Sequence, residues 1–209
     1  MKPTDQNSAF YFIEDSYGDT TSYNLEYGKA WGAKVDANIG VVKATAGYTV
    51  FKDGQEVDYL SGDSEFVGKQ KDNKIWNVGV AFDVVKELIL TADYLKSNTE
   101  MADPYEDKFD GDDGYIIGLN YKGAKANEPG TYGVYANFYD QARGTVIAHT
   151  MNGFYGNNGF KGYMIGANYT FAKNIVGAIE WYDLESKGLF DYVPKQDMET
   201  LWAQVVFTF

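Results

Sequence analysis

A chain of 209 residues with a net charge of −12 and a single arginine, Arg143, offers no basic surface for nucleic acid. The absence of cysteine removes disulfides, thiolate metal sites and cysteine nucleophiles from consideration. No run approaches the roughly 18 apolar residues of a membrane helix, and residues 1–8 lack the apolar core of a signal peptide, so they read as a flexible start to a single unit spanning 1–209. A mean hydropathy of −0.39 does not argue against membrane strands, which hide an apolar face among polar inward residues and loops. The 17% aromatic content, with 18 Tyr, and 23 Gly against 4 Pro suit a strand-rich protein with aromatic belts.

Taken in order, residues 9–14 (Ala-Phe-Tyr-Phe-Ile-Glu) predict a strand apolar on both faces. From Tyr23 to Ala37 the odd positions are mostly apolar and the even ones carry Asn24, Glu26, Lys34 and Asp36, a two-faced strand. A tight turn at Asn38-Ile39-Gly40 leads to Val42, Ala44, Ala46, Tyr48 and Val50 opposite Lys43, Thr45, Gly47 and Thr49. Beyond a polar loop from Asp53 to Asp72, the same alternation predicts strands around Trp76–Phe82, Leu88–Leu95, Tyr115–Tyr121, Tyr132–Tyr139, Gly162–Phe171 and Ile175–Tyr182. The last ten residues place Leu201, Ala203, Val205, Phe207 and Phe209 on one wholly apolar face. The expectation is an all-β, antiparallel up-and-down transmembrane β-barrel of about ten strands, with no segment of helical period.

Alternation alone does not separate a core-facing side from a lipid-facing one, since ligand-binding soluble barrels alternate too. Two further features favour lipid. Connections alternate between tight turns at 37–40, 84–87 and 172–174, with a modest one at 122–130, and long loops at 53–72, 97–112, 140–159 and 185–197. Aromatics on the apolar face also gather at strand ends, with Trp76, Tyr94, Tyr115, Phe138, Tyr163 and Trp181 near the long loops. Phe82, Tyr121, Tyr132, Tyr169, Phe171, Phe207 and Phe209 gather near the short turns, so two lipid-facing girdles are expected. Their spacing of often six residues corresponds to only about 15 Å of height, against an apolar band of about 25 Å.

On the opposite face, Lys34, Asp36, Lys43, Asp93 and Glu180, with Tyr135 and Tyr182, are the candidate pore-lining residues; equally, ion pairs could plug a narrow barrel. Gly47, Gly79, Gly118, Gly133, Gly162 and Gly166 leave space on that face, or mark strand curvature. Lys29 is the one charge on the apolar face, where it can snorkel. Arg143 and the lone His149 share the 140–159 loop, a possible constriction or an external flap. The acids Asp103, Glu106, Asp107, Asp110, Asp112 and Asp113 fit no calcium-loop spacing and read as a solvated loop. No catalytic constellation, metal site or cofactor motif is expected, since His149 has no nearby serine or second histidine in sequence.

A terminal Phe preceded by alternate apolar residues resembles the closing strand of bacterial outer-membrane barrels, which their assembly machinery reads. Trp31-Gly32-Ala33-Lys34-Val35-Asp36-Ala37-Asn38, Gly162-Tyr163-Met164-Ile165-Gly166-Ala167-Asn168-Tyr169-Thr170-Phe171-Ala172-Lys173-Asn174 and Trp202 to Phe209 look like the C-terminal barrel of porins whose longer relatives carry an N-terminal S-layer-homology domain. The resemblance implies a bacterial outer-membrane location, a homotrimer, contact with outer-membrane lipids and the barrel-assembly machinery, and passive diffusion of small hydrophilic solutes, with mild cation preference from the acidic charge. The chain departs from that family in lacking the S-layer-homology domain and in supplying about ten strands where about sixteen are needed. It is therefore expected to be either a smaller barrel, whose alternative role is structural or surface-binding through its loops, or the C-terminal part of a larger one.

Overall fold

A computed structural model describes residues 27–54, 56–61, 64–69, 72–98, 112–146, 159–187, 195 and 197–209. The first expected strand, 9–14, and residues 1–8 lie outside these, as do His149 and four of the loop acids, Asp103, Glu106, Asp107 and Asp110.

The described chain is all-β and antiparallel, with one helical turn. Its strands are β1 (Tyr27–Ile39), β2 (Val42–Gly54), β3 (Glu56–Ser61), β4 (Ser64–Lys69), β5 (Asn73–Val85), β6 (Leu88–Ser97), β7 (Asp113–Lys122), β8 (Tyr132–Gln141), β9 (Phe160–Ala172), β10 (Ile175–Ser186) and β11 (Asp197–Phe207). Nine form a single up-and-down sheet in the order β1-β2-β5-β6-β7-β8-β9-β10-β11, and β3 pairs only with β4. Among the described residues the outer edges of β1 and β11 have no partner strand, and the sheet they form is not closed.

Local chemistry accounts for the turns. Gly40 (φ 64°), Glu87 (φ 64°) and Asn174 (φ 67°) supply the positive φ of tight hairpins whose twist matches the strands. The turns are shorter than expected from the sequence because the strands run further: Ile39 pairs with Val42, Val85 with Leu88 and Ala172 with Ile175. The expected polar loop at 53–72 contains the β3–β4 hairpin, in register from Glu56↔Lys69 to Ser61↔Ser64. Val57, Tyr59, Leu60, Phe66 and Val67 are good strand formers, and the charged residues between them had concealed the pattern.

The two faces of the large sheet differ in burial. Phe51, Ile75, Leu95, Ile116, Tyr139, Phe160, Met164, Tyr182 and Leu184 form one buried cluster on the inner face, drawn from β2 and β5 through β10, with Tyr135, Val146 and Met198 packed against it. All nine lie toward the long-loop ends of their strands. The outer face remains exposed and apolar, from Trp31 and Val35 on β1 through Val78, Ile117, Val134 and Ile165 to Leu201, Val205 and Phe207 on β11.

Candidate functional site on the inner face of the sheet

Alternation puts Lys34, Asp36, Lys43, Asp93, Tyr135, Glu180 and Tyr182 on the inner face, as expected, but divides them between two environments. Toward the short turns the surface is polar and open. Lys34 Nζ lies 3.2 Å from Asp36 Oδ1, which also accepts a 2.7 Å hydrogen bond from Thr45 Oγ1 on β2. Lys43, beside them, is exposed.

The inner glycines are where the polar side chains go. Five of them face a polar partner across the strand pair: Gly47 faces Asn77, Gly79 faces Asp93, Gly118 faces Thr91 and Asn137, Gly133 faces Asn168, and Gly166 faces Tyr135, whereas Gly162 faces Leu184. In these five the partner's polar end or ring lies where the glycine's missing Cβ would be. The space these glycines were expected to leave is therefore taken by neighbours lying flat along the wall. Such a lining is thin, because a side chain laid over a glycine does not project into the interior.

Toward the long loops the inner face is filled. The hydroxyl of Tyr135 passes over Gly166 of β9 to donate to Glu180 Oε1 at 2.7 Å, and Tyr182 donates to Glu180 Oε2 at 2.5 Å. Tyr182 is 1% exposed and Glu180 4%, so both belong to the packed region and not to an open wall. The Tyr139 ring meets Phe160 at 5.7 Å between centroids. The 140–159 connection begins by turning onto this face: α1 (Arg143–Val146) packs against β5, β6 and β7. Asn73 Nδ2 donates to Gly144 O at 2.8 Å, Ser97 Oγ to Asn73 Oδ1 at 2.7 Å, and Thr145 sits over Gly114. The start of that connection is thus an inward filler; the constriction expected of Arg143 and His149 falls on the Arg143 side chain and on His149, which lie outside what is described.

At the opposite rim the 123–131 connection closes over Thr170. Ala124 N donates to Asn168 Oδ1 at 2.9 Å, Gly130 N to Thr170 O at 2.9 Å, and Thr170 Oγ1 to Lys125 O at 3.0 Å.

On the outer face the aromatics near the long loops form a row of diagonal pairs, one per hairpin: Trp31 with Tyr48 at 6.1 Å, Trp76 with Tyr94 at 5.5 Å, Tyr115 with Phe138 at 6.0 Å and Tyr163 with Trp181 at 5.6 Å. Three of the tyrosines donate to an aspartate of a neighbouring strand: Tyr115 and Tyr163 to the residues directly opposite, Asp140 and Asp183, and Tyr94 to Asp113, diagonally nearer the loops. Near the short turns, Tyr169 packs on Phe171 at 5.2 Å, and Lys122 Nζ lies over the Tyr121 and Tyr132 rings. Phe82 is half-buried on that side, and Phe207 and Phe209 are exposed. Of the acidic loop residues that are described, Asp112 pairs with Lys96 and Asp113 accepts from Tyr94. Among the described residues no three His, Asp or Glu gather as a metal site. No protein-family model matches this chain, and no curated protein sequence matches it.

Proposed function

We propose that this chain is a wall of a bacterial outer-membrane β-barrel porin that passes small hydrophilic solutes and ions by passive diffusion, with a mild preference for cations. The observation that carries the reading is the contrast between faces. A sheet of nine strands exposes a continuous apolar surface between two aromatic rows, far more than a soluble monomer leaves to water. Its inner face holds Lys34, Asp36, Lys43 and Asp93 on a thin, glycine-backed wall, and such charges are tolerated at membrane depth only where water meets them. The resemblance to S-layer-homology porins supports the same reading and the homotrimeric assembly that goes with it.

Closure follows from parity. In an up-and-down sheet of nine strands β1 and β11 run in the same direction, so antiparallel closure takes an odd number of added strands. Residues 9–14 have the composition for one, giving about ten strands; about seven from elsewhere would give the sixteen or so of the family it resembles.

A second reading, a filled barrel with a structural or loop-mediated binding role, is favoured by the apolar cluster and by α1 on the inner face. Single-channel recording of the refolded protein in a planar bilayer under a salt gradient separates the two. Discrete, stable steps with a cation-side reversal potential are expected; silence from folded, β-rich protein would overturn the porin reading in favour of the filled barrel.

A further inference from the structure

The sequence pattern left Lys29 as an isolated charge on the lipid-facing side. The strands prove longer than the pattern suggested, and their extra residues change this. On the outer face β2 continues past Val50 to Lys52, β5 begins early enough to include Lys74, and β6 continues past Tyr94 to Lys96. Four lysines therefore stand on four neighbouring strands.

Register fixes their arrangement. Lys29 lies directly opposite Lys52. Lys74 lies opposite Val50, and so diagonal to Lys52, and Lys96 lies opposite Trp76, diagonal to Lys74. Diagonal neighbours are about 7–8 Å apart, and directly opposed like charges destabilise a strand pair. Lys29 is two residues from Trp31, Lys74 two from Trp76 and Lys96 two from Tyr94, all on the same face. At ~3.3 Å per residue on a tilted strand, each ammonium sits about 5 Å beyond the aromatic row, where lipid headgroups begin above an interfacial belt.

The other half of the rim is different. From β7 to β10 the charges on this level satisfy one another: Asp140 meets Lys187 at 2.7 Å and Lys161 at 3.4 Å, Glu185 meets Lys195 at 2.8 Å, and Asp113 and Asp183 accept from tyrosines. In the lysine half Lys96 pairs with Asp112, but no described carboxylate lies within ion-pair distance of exposed Lys52 or Lys74.

We propose that Lys29, Lys52, Lys74 and Lys96 form a docking row for the phosphate groups of a membrane lipid, with phosphomonoester headgroups seated between neighbouring ammoniums. The inference rests on the outer face being lipid-facing. A lipid phosphate is the occupant because the row lies just beyond the aromatic row, at the level where headgroup phosphates sit, and its ammoniums carry the complementary charge.

The test uses the 209-residue chain refolded in detergent, first inserted into phosphatidylcholine vesicles and then examined by native mass spectrometry with dioleoyl phosphatidic acid against dioleoyl phosphatidylcholine. Wild type is expected to retain phosphatidic acid preferentially. K52Q/K74Q is expected to weaken that binding on the order of twentyfold, each lysine near a membrane surface contributing roughly fivefold. K86Q/K173Q, in the short turns at the opposite rim, is expected to leave it unchanged. Equal retention of the two lipids, an unaffected K52Q/K74Q variant, or an equal loss in K86Q/K173Q would overturn the docking row. So would displacement by equimolar inorganic phosphate, or a dimer that depends on Lys52 and Lys74. Protein that inserts but shows no preference refutes only this inference; protein that inserts into no vesicle refutes the membrane reading with it.

Discussion

The inner face of one sheet carries two kinds of wall. Near the long loops its side chains interlock, and Phe160 and Ile75 have lost contact with solvent; near the short turns polar side chains lie flat over glycines and Lys43 stays exposed. The backbone is the same antiparallel ladder throughout, so the difference comes from the side chains alone. Large residues facing one another fill an interior, and a polar residue facing a glycine only lines it. A barrel wall can therefore be stiff at one end and hollow at the other without any change of strand geometry.

The contrast is broken most severely by removing volume from the interlocked end. Phe160→Ala, at a fully buried position, is expected to cost about 3–5 kcal/mol in urea unfolding of the detergent-folded protein. Ile117→Ala on the exposed outer face is expected to cost much less, since detergent covers that surface with or without the side chain. Equal losses would mean that the inner cluster is not a core.

Glycine substitutions sharpen the comparison at a smaller scale. A Cβ on Gly162 would strike the backbone carbonyl of Asp183, at a φ of 149° where side chains are rarely accommodated. Gly162→Ala is expected to destabilise by roughly 2 kcal/mol or more, because backbone must move. At Gly47 the obstacle is only the amide end of Asn77, so Gly47→Ala is expected to stay within about 1 kcal/mol of wild type, the Asn77 side chain rotating away. Unfolding midpoints of the two variants check the order; the reverse order would refute the flat-lying wall.

These differences explain what was legible in the sequence. Period two revealed nine of the strands, their antiparallel order and the apolar outer face, because every outward position from Trp76 to Phe82 or from Tyr163 to Phe171 repeats the same signal. It did not reveal the inner cluster. Phe51, Ile75, Phe160 and Leu184 sit at strand ends, at the margins of the stretches of clean alternation. Their common fate depends on sheet register, which brings strands far apart in sequence to one level. The lysine row was hidden for the same reason. The sequence left the inner glycines open between empty space and strand curvature, since it does not show which partner faces them.

The smallest expected stability effect separates two carboxylates. Glu180 is gripped by Tyr135 and Tyr182 in the packed region, and a buried acceptor that loses a donor is left poorly solvated. Tyr135→Phe is therefore expected to cost about 1–3 kcal/mol. Asp93 lies over Gly79 at the border between the packed and the open wall, half-buried opposite Ile116 and within electrostatic reach of Lys34, and Asp93→Asn keeps its shape. That substitution is expected to change stability by no more than about 0.5 kcal/mol. In a salt gradient it should move the reversal potential away from the cation side, because it removes one negative charge from the lining. Tyr135→Phe leaves the charge count unchanged and should leave the reversal potential in place. An Asp93→Asn channel with unaltered selectivity would mean that ions do not pass the open wall; a Tyr135→Phe channel with altered selectivity would mean that the packed end also meets the current.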